Sequence, residues 1–237
     1  MNPIYKQQFT LEHIHVDRFG RAKPSVLLYF IQEAAGQHSN LLAVGSEALE
    51  HLFWAVSRNR VQITRLPRLG ETITLETWPM PTTKVAYPRS VVAYDAQGQE
   101  LFRSISLWVL MDSRTRGMIL PAKSGIVVNG TLTGTELAVP RAIATRPMEN
   151  TLTQRVGYSL LDVNGHMNNT YYMDWVADLL PSEFHRSHPV QEFTVCYMNE
   201  AHENDAVSLG YELSDGPTLT VDGTRNGERI FSAQILF

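Results

Sequence analysis

The sequence predicts an α+β fold built twice over. In each half, a helix-length amphipathic segment precedes a run of alternating, β-rich segments separated by turn residues. A turn precedes both helices: Asp17-Arg18-Phe19-Gly20 lines up without gaps on Asp162-Val163-Asn164-Gly165, and Phe30 then falls on Trp175. Further on, Gly70-Glu71-Thr72-Ile73-Thr74-Leu75 lines up on Asn204-Asp205-Ala206-Val207-Ser208-Leu209. One helix ahead of antiparallel strands implies a sheet wrapped on a helix. Repeated element order, more than identity, marks the duplication.

Taken in order, Ile4 to Val16 alternates loosely and reads as a first strand. Pro24-Ser25 opens a helix whose apolar stripe is Val26, Leu27, Phe30, Ile31, Ala34 and Ala35. Ala43-Val44-Gly45 is its expected stop. Strands follow at 53–63, 72–78, 90–94 and 101–111, with turns at Leu69-Gly70-Glu71 and Asp95-Ala96-Gln97-Gly98. Residues 117–150 are rich in Gly, Pro, Thr and Asn and read as a packed linker. A strand over 152–160 then leads to a helix reaching about Leu180, and strands are expected at 193–200, 206–213, 218–224 and 230–237.

The 237 residues, 43% hydrophobic and 19% charged, suffice for one large domain or two of about 110 residues. No run reaches the ~18 apolar residues of a membrane helix, so no membrane association is expected. Met1-Asn2-Pro3-Ile4-Tyr5-Lys6 lacks the apolar stretch of a signal peptide, and Cys196 has no cysteine to pair with, so the expectation is a cytoplasmic protein. The net charge of −4 is uneven. Residues 1–150 hold 16 Lys/Arg against 12 Asp/Glu, and 151–237 hold 4 Arg, no Lys and 12 Asp/Glu, giving +4 and −8. Arg58, Arg60, Arg65 and Arg68 form one run without an acid, so an acidic partner is expected on the first half; the alternative is a solvated strand face. A pI near 6.1 without a binding motif argues against nucleic acid.

The candidate chemistry lies in Leu161-Asp162-Val163-Asn164-Gly165-His166-Met167-Asn168-Asn169. If the run is extended, Asp162, Asn164 and His166 share one face. The helical segment behind it brings free N–H donors suited to a developing negative charge. Taken singly, each residue has a plainer reading as turn chemistry or, for Asn168 and Asn169, a helix cap. The duplication sharpens the contrast, since the first half has Phe19, Arg21 and Leu66 where the second has Asn164, His166 and Glu200.

Asp-x-Asn-x-His-x-Asn-Asn followed by an aromatic helix resembles the catalytic segment of the plant-type fatty acyl-[acyl-carrier-protein] thioesterases. Leu28 to Ala35, Phe53 to Arg58, Leu107 to Asp112 and Tyr197-Met198-Asn199-Glu200 also resemble family segments. The resemblance implies a double hotdog fold, with two long helices each cradled in an antiparallel sheet. It implies an N-terminal hotdog over 1–125, a linker over 126–150 and a C-terminal catalytic hotdog over 151–237. It also implies Asp162, Asn164, His166 and Glu200 as the catalytic set. Some members carry Cys directly after that Glu; here Ala201 stands there, so a cysteine nucleophile at that position is excluded.

The implied reaction is hydrolysis of a fatty acyl thioester on an acidic acyl carrier protein, without cofactor or metal. Glu200 is expected on a strand, as general base or water carrier, with His166 sharing that role or protonating the leaving thiolate. Asn164 positions the water or the carbonyl, and backbone N–H groups of His166 to Asn168 hold the oxyanion. Asp162 orients His166 and Asn164 or attacks directly. The acyl chain is expected against Leu27, Tyr29, Phe30 and Trp175. The carrier is expected at the Arg58–Arg68 run and at Arg114 and Arg116, the protein acting as a monomer or homodimer. Glu33 is a competing helix carboxylate, more simply an ordinary helix-face acid. His185 and His188 lack a third metal ligand and read as a surface loop. An acyl-CoA thioesterase or hotdog dehydratase, and a non-catalytic acyl-binding module, are the alternatives.

Overall fold

The computed structural model describes residues 3–42 and 51–237; the expected helix stop at Ala43-Val44-Gly45 lies outside them. The first half contains β1 (Tyr5–Thr10), α1 (Pro24–Leu41), β2 (Leu52–Ile63), β3 (Thr72–Pro79), β4 (Tyr87–Tyr94) and β5 (Glu100–Asp112). A short β6 (Met118–Ile119) pairs with β5 and is followed by one helical turn, α2 (Pro121–Ser124). The second half contains β7 (Asn150–Arg155), α3 (Tyr172–Ala177), α4 (Ser182–Ser187), β8 (Glu192–Tyr197), β9 (Ala206–Leu213), β10 (Thr218–Arg225) and β11 (Glu228–Leu236).

All paired strands are antiparallel, and they form one sheet in the order β1-β3-β4-β5-β2-β8-β11-β10-β9-β7. The halves join where β2 pairs with β8, from Arg58 opposite Cys196 to Gln62 opposite Glu192. Each strand's alternation sends one face to the helices: Ile73, Leu75, Val91 and Ala93 from the first half, and Val207, Leu209, Val221 and Ala233 from the second, are fully buried in one shared core.

Pro24 opens α1 at a position where its missing N–H costs nothing. Val26, Leu27, Phe30, Ile31, Ala34, Ala35 and His38 recur at helical spacing and are buried, while Tyr29, Glu33, Gln37 and Asn40 face solvent. Burial and the adjacent Arg89 cation depress the His38 pKa to about 4, so its ring is neutral in the core.

Four expected elements differ. The strand expected over 152–160 ends at Arg155, and Tyr158–Leu160 form a 3-10 turn. The first strand stops at Thr10, and His13–His15 form a 3-10 turn, because Leu11 leaves the strand path to bond Glu71 and Gly70. The second central helix is short: a 3-10 turn, Asn169–Tyr171, then six residues of α3. Pro181 disfavours helical geometry at Leu180, and α4 restarts the chain beyond it. His185 and His188 lie on α4 and at its end, where their rings bond the carbonyls of Ala177 and Phe184.

Candidate active site

The segment from Asp162 to Gly165 is a tight turn rather than an extended run. Its ends are held by Asp162 N–H to His166 C=O (2.8 Å) and Gly165 N–H to Asp162 C=O (3.0 Å). Gly165 adopts φ +78°, a left-handed conformation costly for other residues. Asp162 Oδ1 accepts the backbone N–H groups of Asn164 (2.8 Å) and His166 (3.3 Å). Its contact with His166 is therefore to the backbone, not the imidazole. Among the described residues, nothing hydrogen-bonds Asp162 Oδ2.

The turn stands beside the loop that follows β8. Met198 N–H and Asn199 N–H both donate to Ile230 C=O, which breaks the regular ladder. Glu200 consequently lies beyond the strand that was expected to carry it. Arg225 holds the Glu200 carbonyl at 3.2 Å, and Met167 N–H bonds the Ala201 carbonyl at 2.8 Å. Glu200 Oε1 comes within 3.3 Å of His166 Nδ1, and Arg116 pairs with its other oxygen. The sequence reading placed Arg116 on the carrier surface; the fold sets it against this carboxylate. His202 pairs with His166 through an isolated antiparallel bridge, their rings 4.9 Å apart and edge-on.

Burial is the largest influence on His166, followed by the His202 charge; together they pull its pKa below the ordinary 6.5 against the opposing pull of Asp162. Its imidazole is neutral at neutral pH and free to take a proton. Glu200 Oε1 stands 3.3 Å from its Nδ1, a position that favours hydrogen on Nδ1 and leaves Nε2 the basic nitrogen.

Asp162, Asn164, His166 and Glu200 all line one cavity of about 620 Å³, with Gln32, Tyr172, Tyr197, Trp54 and Trp108 among its other walls. The Gln32 Oε1 atom is buried there without a hydrogen-bond partner among the described residues. Sequence periodicity marked Gln32 only as a polar member of α1. Glu33, one residue on, points to solvent. The expected oxyanion donors are otherwise engaged: His166 N–H with Asp162, Met167 N–H with Ala201 and Asn168 N–H with Leu160. Asn168 Oδ1 caps the 3-10 turn by accepting from Thr170. Asn169 N–H, at the first position of that turn, has no hydrogen bond within the described residues, and Asn169 lines the cavity.

Trp54 and Trp108 also wall a second, mostly apolar groove of about 190 Å³ between the end of α1 and strands β2 to β5. Ala35, Gly36, Tyr87, Pro88 and Arg89 line it. Arg89 is almost wholly buried, bonded to His38 and Thr77, and burial lowers its pKa to about 10. The residues expected to hold an acyl chain lie elsewhere. Leu27 and Phe30 are in the core, with Phe30 stacked on Phe9 at 4.3 Å; Trp175 packs on Tyr172; Tyr29 is exposed. The helical stripe that is most apolar faces the core, and the groove meets the neighbouring face of α1.

The arginine run is likewise not an open cationic patch. Arg60 makes a two-point pair with Glu192, Arg65 pairs with Glu71 and Asp95, and Arg58 bonds the Pro140 carbonyl. Arg68 is exposed, and its guanidinium has no partner among the described residues.

Comparison with known proteins agrees with this architecture. Residues 2–121 match the model of the acyl-ACP thioesterase N-terminal domain, and residues 145–235 match that of the acyl-ACP thioesterase C-terminal domain. The chain belongs to the acyl-ACP thioesterase family. Among curated relatives, it is 25% identical to the chloroplastic dodecanoyl-[acyl-carrier-protein] hydrolase of Cinnamomum camphora, over 90% of this chain and 60% of that one. It is 25% identical to oleoyl-acyl carrier protein thioesterase 1 of Arabidopsis thaliana, over 86% of this chain and 62% of that one. The chain thus spans about 60% of the length of these relatives. Among solved structures, the fold matches an acyl-ACP thioesterase of Bacteroides thetaiotaomicron with a TM-score of 0.85 at 23% identity, covering 100% of this chain and 98% of that one. It matches the 12:0-ACP thioesterase of Umbellularia californica with a TM-score of 0.84 at 21% identity, covering 100% and 97%. The fold of this family member is the double hotdog, with the second helix shortened. Among the described residues, no helix is long and apolar enough to cross a membrane.

Proposed function

We propose that the protein hydrolyses the thioester of fatty acyl-[acyl-carrier-protein], releasing free fatty acid. The observation that carries the proposal is one cavity presenting Asp162, Asn164, His166 and Glu200 and sharing Trp54 and Trp108 with an apolar groove. A pure lipid sleeve has no use for such ionisable groups. His166, neutral and paired with Glu200, takes a proton from water as that water attacks the thioester carbonyl. Asp162 Oδ2 accepts the water's second hydrogen and aims it. Asn164 and the Asn169 N–H hold the oxygen that gains charge. The imidazolium then returns its proton to the leaving sulfur. The apolar groove takes the acyl chain, and the carrier's acidic face approaches the mouth beside Arg116. Catalysis in the second half, acyl binding in the first, and action in the cytosol as a monomer or homodimer belong to the same proposal.

The test is thiol release from acyl-carrier proteins of graded chain length, beside acyl-CoA of the same lengths. Faster release from the carrier-bound thioesters is the expected result. Tight acyl binding with no thiol release would sink the hydrolase reading, and equal rates on both would sink the carrier preference. A single turnover in ¹⁸O-water separates the chemistries. An unlabelled first fatty acid with the label in the enzyme's carboxylate marks a mixed anhydride opened at the enzyme's carbonyl, whereas a labelled first fatty acid with no acyl-enzyme trapped on quenching marks direct attack by water.

A further inference from the structure

We propose that His166, Glu200 and His202 form a binding site for a divalent transition metal, with Zn²⁺ the best match, and that its occupancy shuts the thioesterase off. The isolated bridge between His166 and His202 places their side chains on the same side of the chain, with ring centres 4.9 Å apart. Glu200 Oε1 stands 3.3 Å from His166 Nδ1. One ligand atom from each of the three residues falls within 4.8 Å of the other two.

Ligand atoms around a tetrahedral zinc, each about 2.0–2.2 Å from the metal, lie roughly 3.3 Å apart. Side-chain rotation alone brings this trio to that spacing, since the bridge already fixes the two histidine backbones. Two imidazoles and one carboxylate suit zinc or cobalt better than magnesium or calcium, which prefer all-oxygen shells. The fourth position stays open toward the cavity. Asp205 accepts the His202 backbone N–H at 2.8 Å and lies 3.9 Å from His202 Nδ1, so a small ring rotation would give His202 the carboxylate partner that typically steadies a ligating histidine. The corresponding bridge of the first half joins Arg21 to Arg68, and Leu66 aligns with Glu200, so nothing similar exists there.

Metal at this position takes the His166 lone pair, removing the base. Binding stands on geometry alone; shut-off rests on the hydrolase reading. The experiment uses the full chain freed of metal with a chelator. Co²⁺ should bind one equivalent and give the visible absorption of a four-coordinate site, and Zn²⁺ should displace it. His202→Ala and His202→Gln should each weaken binding about 100-fold or more. At pH 8, where His166 is neutral with or without the His202 charge, they should keep the metal-free rate on acyl-carrier substrate and resist zinc concentrations that silence the unsubstituted protein. Absence of a cobalt band and of one-equivalent zinc binding would overturn the site. Equal zinc inhibition of His202→Ala and the unsubstituted protein would overturn it as well. One-equivalent binding with unchanged turnover would overturn the shut-off. Failure of the metal-free protein to release thiol would instead count against the hydrolase reading, and the cobalt measurement would still decide the site.

Discussion

The turn before α1 and the turn before α3 are the same structure with opposite fates. Asp17 N–H bonds Arg21 C=O at 2.7 Å, as Asp162 N–H bonds His166 C=O at 2.8 Å. Asp17 Oδ1 accepts from Phe19 and Arg21, as Asp162 Oδ1 accepts from Asn164 and His166. Gly20 and Gly165 share a left-handed backbone, at φ +72° and +78°. Both turns lean on the later loop through matching bonds, Ala22 to Pro67 and Met167 to Ala201. The difference is the second carboxylate oxygen. Arg21 neutralises Asp17 Oδ2 at 3.0–3.1 Å, whereas Asp162 Oδ2 has no partner among the described residues and lies beside a neutral imidazole. The turn is thus a common scaffold, and the two copies differ at its fifth position and across the loop, where the proposed chemistry is placed.

Paired substitutions test that contrast. The largest effect is expected from His166→Ala, a loss in kcat/KM of about 10³-fold, while Arg21→Ala leaves turnover unchanged; matching losses would end the distinction. Asp162→Asn keeps the turn's acceptor but not the open anionic oxygen, and kcat should fall about 10²-fold with little change in thermal midpoint. Asp17→Asn should leave kcat as it was. Gly165→Ala and Gly20→Ala should each cost about 1–2 kcal/mol of stability in denaturant titration, since neither added methyl meets a neighbour and only the backbone resists. Only the former should slow turnover.

The pH profile offers a finer test. Because the proposed reaction needs a neutral His166 and its pKa lies below the ordinary value, the acid limb of kcat/KM should have its midpoint below pH 6.5. A midpoint above 6.5 would remove His166 as the base. The smallest effect concerns Asp174 on α3, which accepts Ser25 Oγ–H at 2.5 Å. Burial raises its pKa, so the folded state disfavours its ionised form. Stability is therefore fullest below the unfolded value and declines as pH rises through the folded one. Asp174→Asn should raise the melting temperature modestly at pH 8 and not at pH 4.

Much of this was legible in the chain because local rules and the tertiary outcome agree. Alternation located β2 to β5 and β8 to β11, and Pro24 marked the start of α1. The aligned turns exposed the duplication. What the sequence hid depends on contacts distant in the chain. Arg60 meets Glu192 only because β2 pairs with β8. Arg116 meets Glu200 across the same region. Helical periodicity told which face of α1 is apolar, not that Gln32, Ala35 and Gly36 would border the cavities while Leu27 and Phe30 fill the core. His202 carried no spacing signal because its partner is set by a bridge between two loops.

The seam between β2 and β8 limits how a long substrate gets in. Five residue pairs in a continuous ladder lock the two lobes edge to edge. Hinging them apart like a clamshell would tear that ladder. For the proposed acyl substrate, that leaves the way between the catalytic cavity and the apolar groove to the two walls they share, the indoles of Trp54 and Trp108.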